Sequence, residues 1–183
     1  MENLLFALWF FAPAGVANMT PIFAAKAPGL SKWNTPVDFG LKYRGKPLFG
    51  PHKTVRGIVC GTIAGTLIFL LQTKLYASYG WAVTISDGLD YSQLTLWVGV
   101  LLSFGALLGD LVKSFFKRRV SVDSGKSWFP FDQIDYIIGG LLLSSIVVTL
   151  THAQSAFIIV TWFILHLATS YIGYLLGLKK DPI

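Results

Sequence analysis

Asp132 and Asp135 stand one helical turn apart, where a basic segment gives way to an apolar run. Side chains at i and i+3 share a helix face, so both carboxylates can face one cavity. Upstream, Asp110, Ser114, Lys117 and Arg118 recur at i, i+4, i+7 and i+8, which puts an acid, a hydroxyl and two cations on one face of a continuous helix. Hard carboxylate oxygens with no His or Cys nearby suit magnesium better than zinc, and neighbouring cations suit phosphate. The combination points to phosphate chemistry at a membrane surface, with Asp132 and Asp135 as candidate metal ligands. Each residue also has a plainer reading. Asp132 can cap a helix that starts after Pro130, although Asp135 lies too far into that helix for the same role. Asp110 can pair with Lys113 or sit among headgroups, and Lys113, Lys117, Arg118 and Arg119 can be topological anchors. An acid inside hydrocarbon costs about 2.5–3.5 kcal/mol, so it tends to be paired or functional.

A second candidate site lies in the run from Gly50 to Gly57, where Lys53, Thr54 and Arg56 present a cation, a hydroxyl and a second cation at the start of an apolar segment. A helix N-terminus beside Lys and Arg makes an anion site; anchoring at the membrane surface competes equally. The Walker A spacing is missing. Asn18, between Pro13 and Pro21, is a polar group at an expected helix break. It either lines a cavity or bonds to a neighbouring helix. His152 and His166 have no acidic or Cys partner close in sequence and read as structural. The single cysteine, Cys60, excludes an intramolecular disulfide and a cysteine-rich metal site.

The elements that must position these residues are membrane helices. Of 183 residues, 54% are hydrophobic and only 13% charged, with a mean hydropathy of +0.61, too apolar for an ordinary soluble domain. Apolar runs cover Leu4 to Ala25, Gly57 to Ala77, Leu94 to Leu111, Ile134 to Leu150 and Phe157 to Leu178. Each approaches the roughly 20 residues that cross a hydrocarbon core. The expectation is an all-α polytopic protein of about five transmembrane helices, with residues 1–183 as one domain. The first run reads as a span rather than a cleaved signal peptide, since Glu2 precedes it without Lys or Arg and Pro13 interrupts it. Lys and Arg gather between the first and second runs and between the third and fourth, while the segment from Ser78 to Gln93 has neither. The positive-inside rule therefore predicts a plasma-membrane protein with its N-terminus outside and both basic loops, together with Lys179 and Lys180, in the cytoplasm.

Glycines repeat at four-residue intervals as Gly57, Gly61 and Gly65, as Gly105 and Gly109, and as Gly173 and Gly177. This pattern predicts close helix packing. The loop from Lys26 to Arg56 is long, rich in Gly and Pro, and interleaves Trp33, Phe39, Tyr43 and Phe49 with cations. Such a loop is expected to be ordered, functional and apposed to the membrane.

Four stretches carry a resemblance: Ala17-Asn18 with Pro21; Pro36-Val37-Asp38-Phe39-Gly40; Gly50-x-x-Lys53-Thr54-x-Arg56-Gly57; and Gly109-Asp110-x-x-x-Ser114-Phe115-x-Lys117-Arg118-Arg119 continuing to Pro130-x-Asp132-Gln133-x-Asp135. Together they resemble the CTP-dependent cytidylyltransferases of lipid synthesis, in the small branch typified by CDP-archaeol synthase. The larger diacylglycerol enzymes have a comparable S-x-x-K-R block, a further Lys and a terminal D-x-x-D, onto which Ser114, Lys117, Arg118, Lys126, Asp132 and Asp135 fall. The chain departs from the larger pattern: no H-G-G precedes the acidic pair, and Gln133 stands where Arg is found. That favours the archaeol-type branch over phosphatidic acid as substrate.

The resemblance implies attack of a lipid phosphate on the α-phosphorus of CTP, with release of pyrophosphate. Asp110, Asp132 and Asp135 would hold magnesium, with Lys117 as a catalytic cation. Lys53, Arg56, Arg118 and Lys126, with Thr54 and Ser114, would hold CTP or the lipid phosphate; Asn18 and Asp38 complete the binding set. It also recommends a homodimer through the glycine-rich faces. The rival reading is a non-enzymatic lipid-binding scaffold or small transporter whose basic loops meet anionic headgroups. CDP-alcohol phosphotransferases are excluded, because their D-G-x-x-A-R block is absent.

Overall fold

The computed structural model describes residues 2–123 and 126–177; Lys179 and Lys180, expected in the cytoplasm, lie outside the described residues. The helices are α1 (Glu2–Lys26), α2 (Val55–Ser78), α3 (Gly80–Ile85), α4 (Leu96–Arg119), α5 (Phe131–Ser144) and α6 (His152–Leu175), with strands β1 (Lys42–Tyr43) and β2 (Lys46–Pro47) in the first loop. Among the described residues, α1, α2, α4 and α6 are long and apolar enough to cross a membrane. α5 covers only part of the run predicted from Ile134 to Leu150. Its 14 residues rise about 21 Å, against a hydrocarbon core of about 30 Å. Gln154 at the start of α6 bonds to Asp87 after α3, so the chain returns to the far end of the bundle before α6 begins.

α1 is the central helix. Phe6, Phe10, Phe11, Ala14 and Ala17 on it are fully or almost fully buried, and Trp162 of α6 donates to the Ala7 carbonyl at 2.8 Å. The expected break around Asn18 does not occur: Pro13 and Pro21 lie inside one continuous helix. A proline removes the donor to the carbonyl four residues earlier, and neighbouring helices can satisfy such a carbonyl. Here Gln72 of α2 donates Nε2 to Trp9 O at 2.5 Å, replacing the bond that Pro13 cannot make.

Two of the glycine patterns pack helices as expected. Along α2, a Cβ on Gly57 would meet Pro21 at 3.1 Å, one on Gly61 would meet the Ala17 carbonyl at 2.8 Å, and one on Gly65 would run into Pro13 O and Ser103. On α4, Gly105 and Gly109 lie against Gly139 and the Asp135 backbone of α5. The last pair behaves differently. Gly177 follows α6 with φ 70° and open space where a Cβ would project, so it ends the helix rather than packing. Because the other two faces are filled by helices of the same chain, they are not free for a second copy.

The first loop is ordered around two knots. The Asp38 carboxylate accepts from the backbone N–H groups of Gly40 and Phe49 at 3.1 Å and Gly50 at 3.5 Å. Arg44 and Gly45, both at positive φ, turn β1 into β2, the geometry that a two-residue hairpin of this hand needs. Arg119 at the end of α4 grips this hairpin, donating to Tyr43 O at 2.8 Å and to Pro47 O while its guanidinium lies over the Phe115 and Tyr43 rings. The loop is thereby tied to the helix that carries the acidic residues.

Candidate active site

The close α4–α5 contact determines which side chains meet. Gly109 rests directly on the Asp135 backbone, so Asp110, the next residue on α4, comes beside the first turns of α5. Lys113, one turn further along α4, completes a cluster. Its ammonium lies 3.1 Å from Asp110 Oδ1, 2.6 Å from Asp132 Oδ1 and 3.1 Å from Asp135 Oδ2. Lys53 from the first loop pairs with the other Asp110 oxygen, and Lys117 pairs with Asp132 Oδ2 at 2.8 Å. Three carboxyl groups thus face three lysine ammonium groups.

Asp132 does not cap α5. Its Oδ2 instead accepts from the Trp128 backbone N–H at 2.6 Å, holding the turn before the helix, and Pro130 occupies the cap position without a side-chain bond. Asp135 is the most buried of the three carboxylates, with 6% of its side chain exposed.

The cluster forms the floor of a cavity of about 660 Å³, within the usual range for small-molecule sites. Asn18, Lys53, Thr54, Arg56, Asp110, Asp132 and Asp135 line it, which brings together seven of the residues singled out in the sequence. Asp38, Ser114, Lys117, Arg118 and Lys126 do not line it. Asp38 is the knot of the first loop. Ser114 is buried, and Lys117 reaches the site only by holding Asp132. Arg118 is half-buried and Lys126 exposed, so the basic face divides between packing and surface.

Lys113, His52, Asn34 and His166 also line the cavity and were not in the predicted set. Lys113 had a usable signal, its i+3 spacing from Asp110, which reads as a simple ion pair until α5 supplies two more carboxylates. His166 had none, because only the packing of α6 beside Tyr136 brings it to the site.

Thr54 and Arg56 also shape the cavity wall. The Thr54 hydroxyl accepts from Gly57 N–H at 3.2 Å and so caps α2. Arg56, buried, donates to the carbonyls of Leu30 and Ser31 at 2.9 and 3.2 Å. Removing a charged donor from these two carbonyls costs roughly 2 kcal/mol, which in a chain of this size lowers Tm by about 4–8 °C. Arg56→Met is expected to show this loss in thermal unfolding of the detergent-solubilised protein; an unchanged Tm would mean the clamp does not hold the loop.

A magnesium ion would find an all-oxygen, anionic donor set here, which suits it. The three carboxylates already converge on one cation, the Lys113 ammonium, so the site favours positive charge at that point. As the side chains stand, no group of three or more His, Cys, Asp or Glu among the described residues is arranged to hold a metal ion; the three carboxyl groups are engaged by Lys53, Lys113 and Lys117.

Comparison with known proteins bears on this geometry. The family model described as CarS-like, CDP-archaeol synthase, matches residues 1–183. A CDP-archaeol synthase of Methanospirillum hungatei is 40% identical over 154 residues, 80% of this chain and 89% of the relative. That of Thermococcus onnurineus is 33% identical over 187 residues, covering 100% of this chain and 98% of the relative. A solved structure described as an intramembrane enzyme for archaeal membrane lipids biosynthesis superposes with a TM-score of 0.70 at 27% identity, covering 89% of this chain and 91% of that one.

Proposed function

Because the chain belongs to the CDP-archaeol synthase family, we propose that the cavity between α1, α2, α4 and α5 is where its two substrates, CTP and a lipid phosphate, react. The protein is a multi-pass membrane cytidylyltransferase that converts a membrane lipid phosphate of the digeranylgeranylglyceryl type to its CDP-activated form. A phosphate oxygen of the lipid bonds to the α-phosphorus of CTP, the bond from that phosphorus to the β-phosphate oxygen breaks, and pyrophosphate leaves with the electron pair. A phosphate monoester is already largely dianionic at neutral pH, so no dedicated base is required.

The observation that carries this reading is the convergence of Asp110, Asp132 and Asp135 with Lys53 and Lys113 on one cavity floor. Two anionic substrates must be brought together, and the chain supplies cations for both. Lys53 lies at the cavity edge on an ordered loop and meets phosphate oxygens as a point charge. The capped start of α2 beside it adds the positive end of a helix dipole. Lys117, behind Asp132, holds that carboxylate in place. Pro21, Ile22 and Ala25 of α1 and Leu107 of α4 give the cavity an apolar wall, suited to the glycerol end of a lipid. Asp132 and Asp135, with Asp110, would hold magnesium. The chemistry such an ion supplies when bound is positive charge that offsets the negative charge developing on the departing pyrophosphate.

By the positive-inside rule, the basic segments around the cavity support a cytoplasmic position for this end of the bundle and an outside N-terminus; residues 1–183 would act as one membrane-embedded domain. A homodimer would have to use a surface other than the glycine faces; α6, apolar and largely unburied within the chain, offers one.

The test is pyrophosphate release by purified protein in detergent with CTP and magnesium, with digeranylgeranylglyceryl phosphate or phosphatidic acid. Release that requires the digeranylgeranyl lipid and disappears with EDTA is expected. Release with phosphatidic acid alone would move the substrate to the diacylglycerol class, and tolerance of EDTA would remove the magnesium assignment.

A further inference from the structure

Lys113 directs its ammonium at all three carboxylates of the site, at 2.6–3.1 Å. An ammonium has three donors, and here each has a carboxylate. No other lysine of the cluster does this: Lys53 pairs with Asp110 and Lys117 with Asp132. Lys113 also lines the cavity, whereas Lys117 does not. A divalent cation bound between Asp110, Asp132 and Asp135 needs oxygens that this ammonium now occupies. The two cations therefore compete for one position.

From this geometry we propose that Lys113 is a resident counter-cation, which keeps the acidic trio closed to a free divalent ion and changes partner to substrate phosphate when metal and CTP arrive together. The inference rests on the magnesium reading above. Its physical basis is charge balance. Each of the three carboxyl groups already has a lysine partner, so a bare divalent ion would add two positive charges to a site already lined by cations. A metal ion that brings a triphosphate carries its own negative charge. Lys113, released from the carboxylates, then faces phosphate oxygens across the same cavity on a flexible four-carbon stem. Metal and nucleotide should accordingly bind with positive coupling, each raising the affinity for the other. Lys113 would be a positioning residue in the free enzyme and a substrate contact in the loaded one.

The experiment uses the full-length protein in detergent, with Mn2+ as the probe and bound ion measured by electron paramagnetic resonance in the absence of CTP. Lys113→Met is expected to bind Mn2+ about 10-fold or more tightly than the native protein, the scale of a typical coupling between sites. Its Tm should fall in EDTA and recover with Mn2+, since the ion replaces the missing counter-charge. Lys113→Gln, which keeps hydrogen-bond donors without charge, should show the same gain and serves if the Met variant does not fold. Unchanged or weaker Mn2+ binding by a folded neutral variant would overturn the inference. A Lys113→Met, Asp135→Asn double variant separates the two readings. Loss of the gained affinity supports the acidic trio as the metal site. Retention of the gain would overturn the metal assignment itself, and the inference with it.

Discussion

Asp135→Asn is expected to lower pyrophosphate release by on the order of 10³-fold, the scale on which removal of metal-assisted charge stabilisation acts. Helical content should stay unchanged. The substitution keeps the size and shape of the side chain, removes its charge and turns one acceptor oxygen into a donor. Asp135 is the most buried of the three carboxylates, and water cannot easily replace what it supplies. Lys113 would retain Asp110 and Asp132 as partners, so the helices remain paired. Circular dichroism and release kinetics on one preparation make the comparison. A folded variant with near-native turnover would dismiss Asp135 as a ligand and leave it a packing residue.

Gly109→Ala is expected to lower turnover about 100-fold, although the residue bears no functional group. The new methyl would overlap the Asp135 carbonyl and meet Gly139 Cα at 3.2 Å. Overpacking of this kind costs about 1–3 kcal/mol and is relieved by moving α5 away from α4. A shift of about 1 Å at a reacting centre is enough for a 100-fold loss. Gly65→Ala provides the control: its methyl would collide with Pro13 O and Ser103, equally tight but away from the acidic cluster. Both variants should lose Tm, and only Gly109→Ala should lose turnover per folded molecule. Equal turnover in the two would mean that the α4–α5 spacing does not set the active geometry.

The membrane class was legible in the sequence because hydropathy is local: about twenty apolar residues in a row report a solvent, whatever their neighbours. The D-x-x-D pair, and the helix face shared by Asp110, Ser114 and Lys117, were legible for a similar reason, since helical periodicity is fixed by backbone geometry. The helix break at Asn18 was a misreading of the same local kind. Proline propensity argues for a break, and Gln72, fifty-nine residues after Pro13, supplies the missing hydrogen bond. The surroundings of Asp38 and Lys113 were not legible for a related reason. In the sequence Asp38 stands free in a basic loop and Lys113 has a neighbouring acid. In the fold Asp38 is consumed by three loop N–H groups, while Lys113 gains two carboxylates from α5.

By itself, then, the sequence determined what depends on neighbours in the chain: the apolar runs, the charge asymmetry, the helix faces and the residues whose chemistry suits phosphate and metal. Which of those residues share a cavity was decided only by tertiary structure. α4 and α5 are joined by a basic segment that does not dictate their spacing. Glycines at 105, 109 and 139 let their backbones touch. That contact brings Asp110 to Asp132 and Asp135, with Lys113 between them.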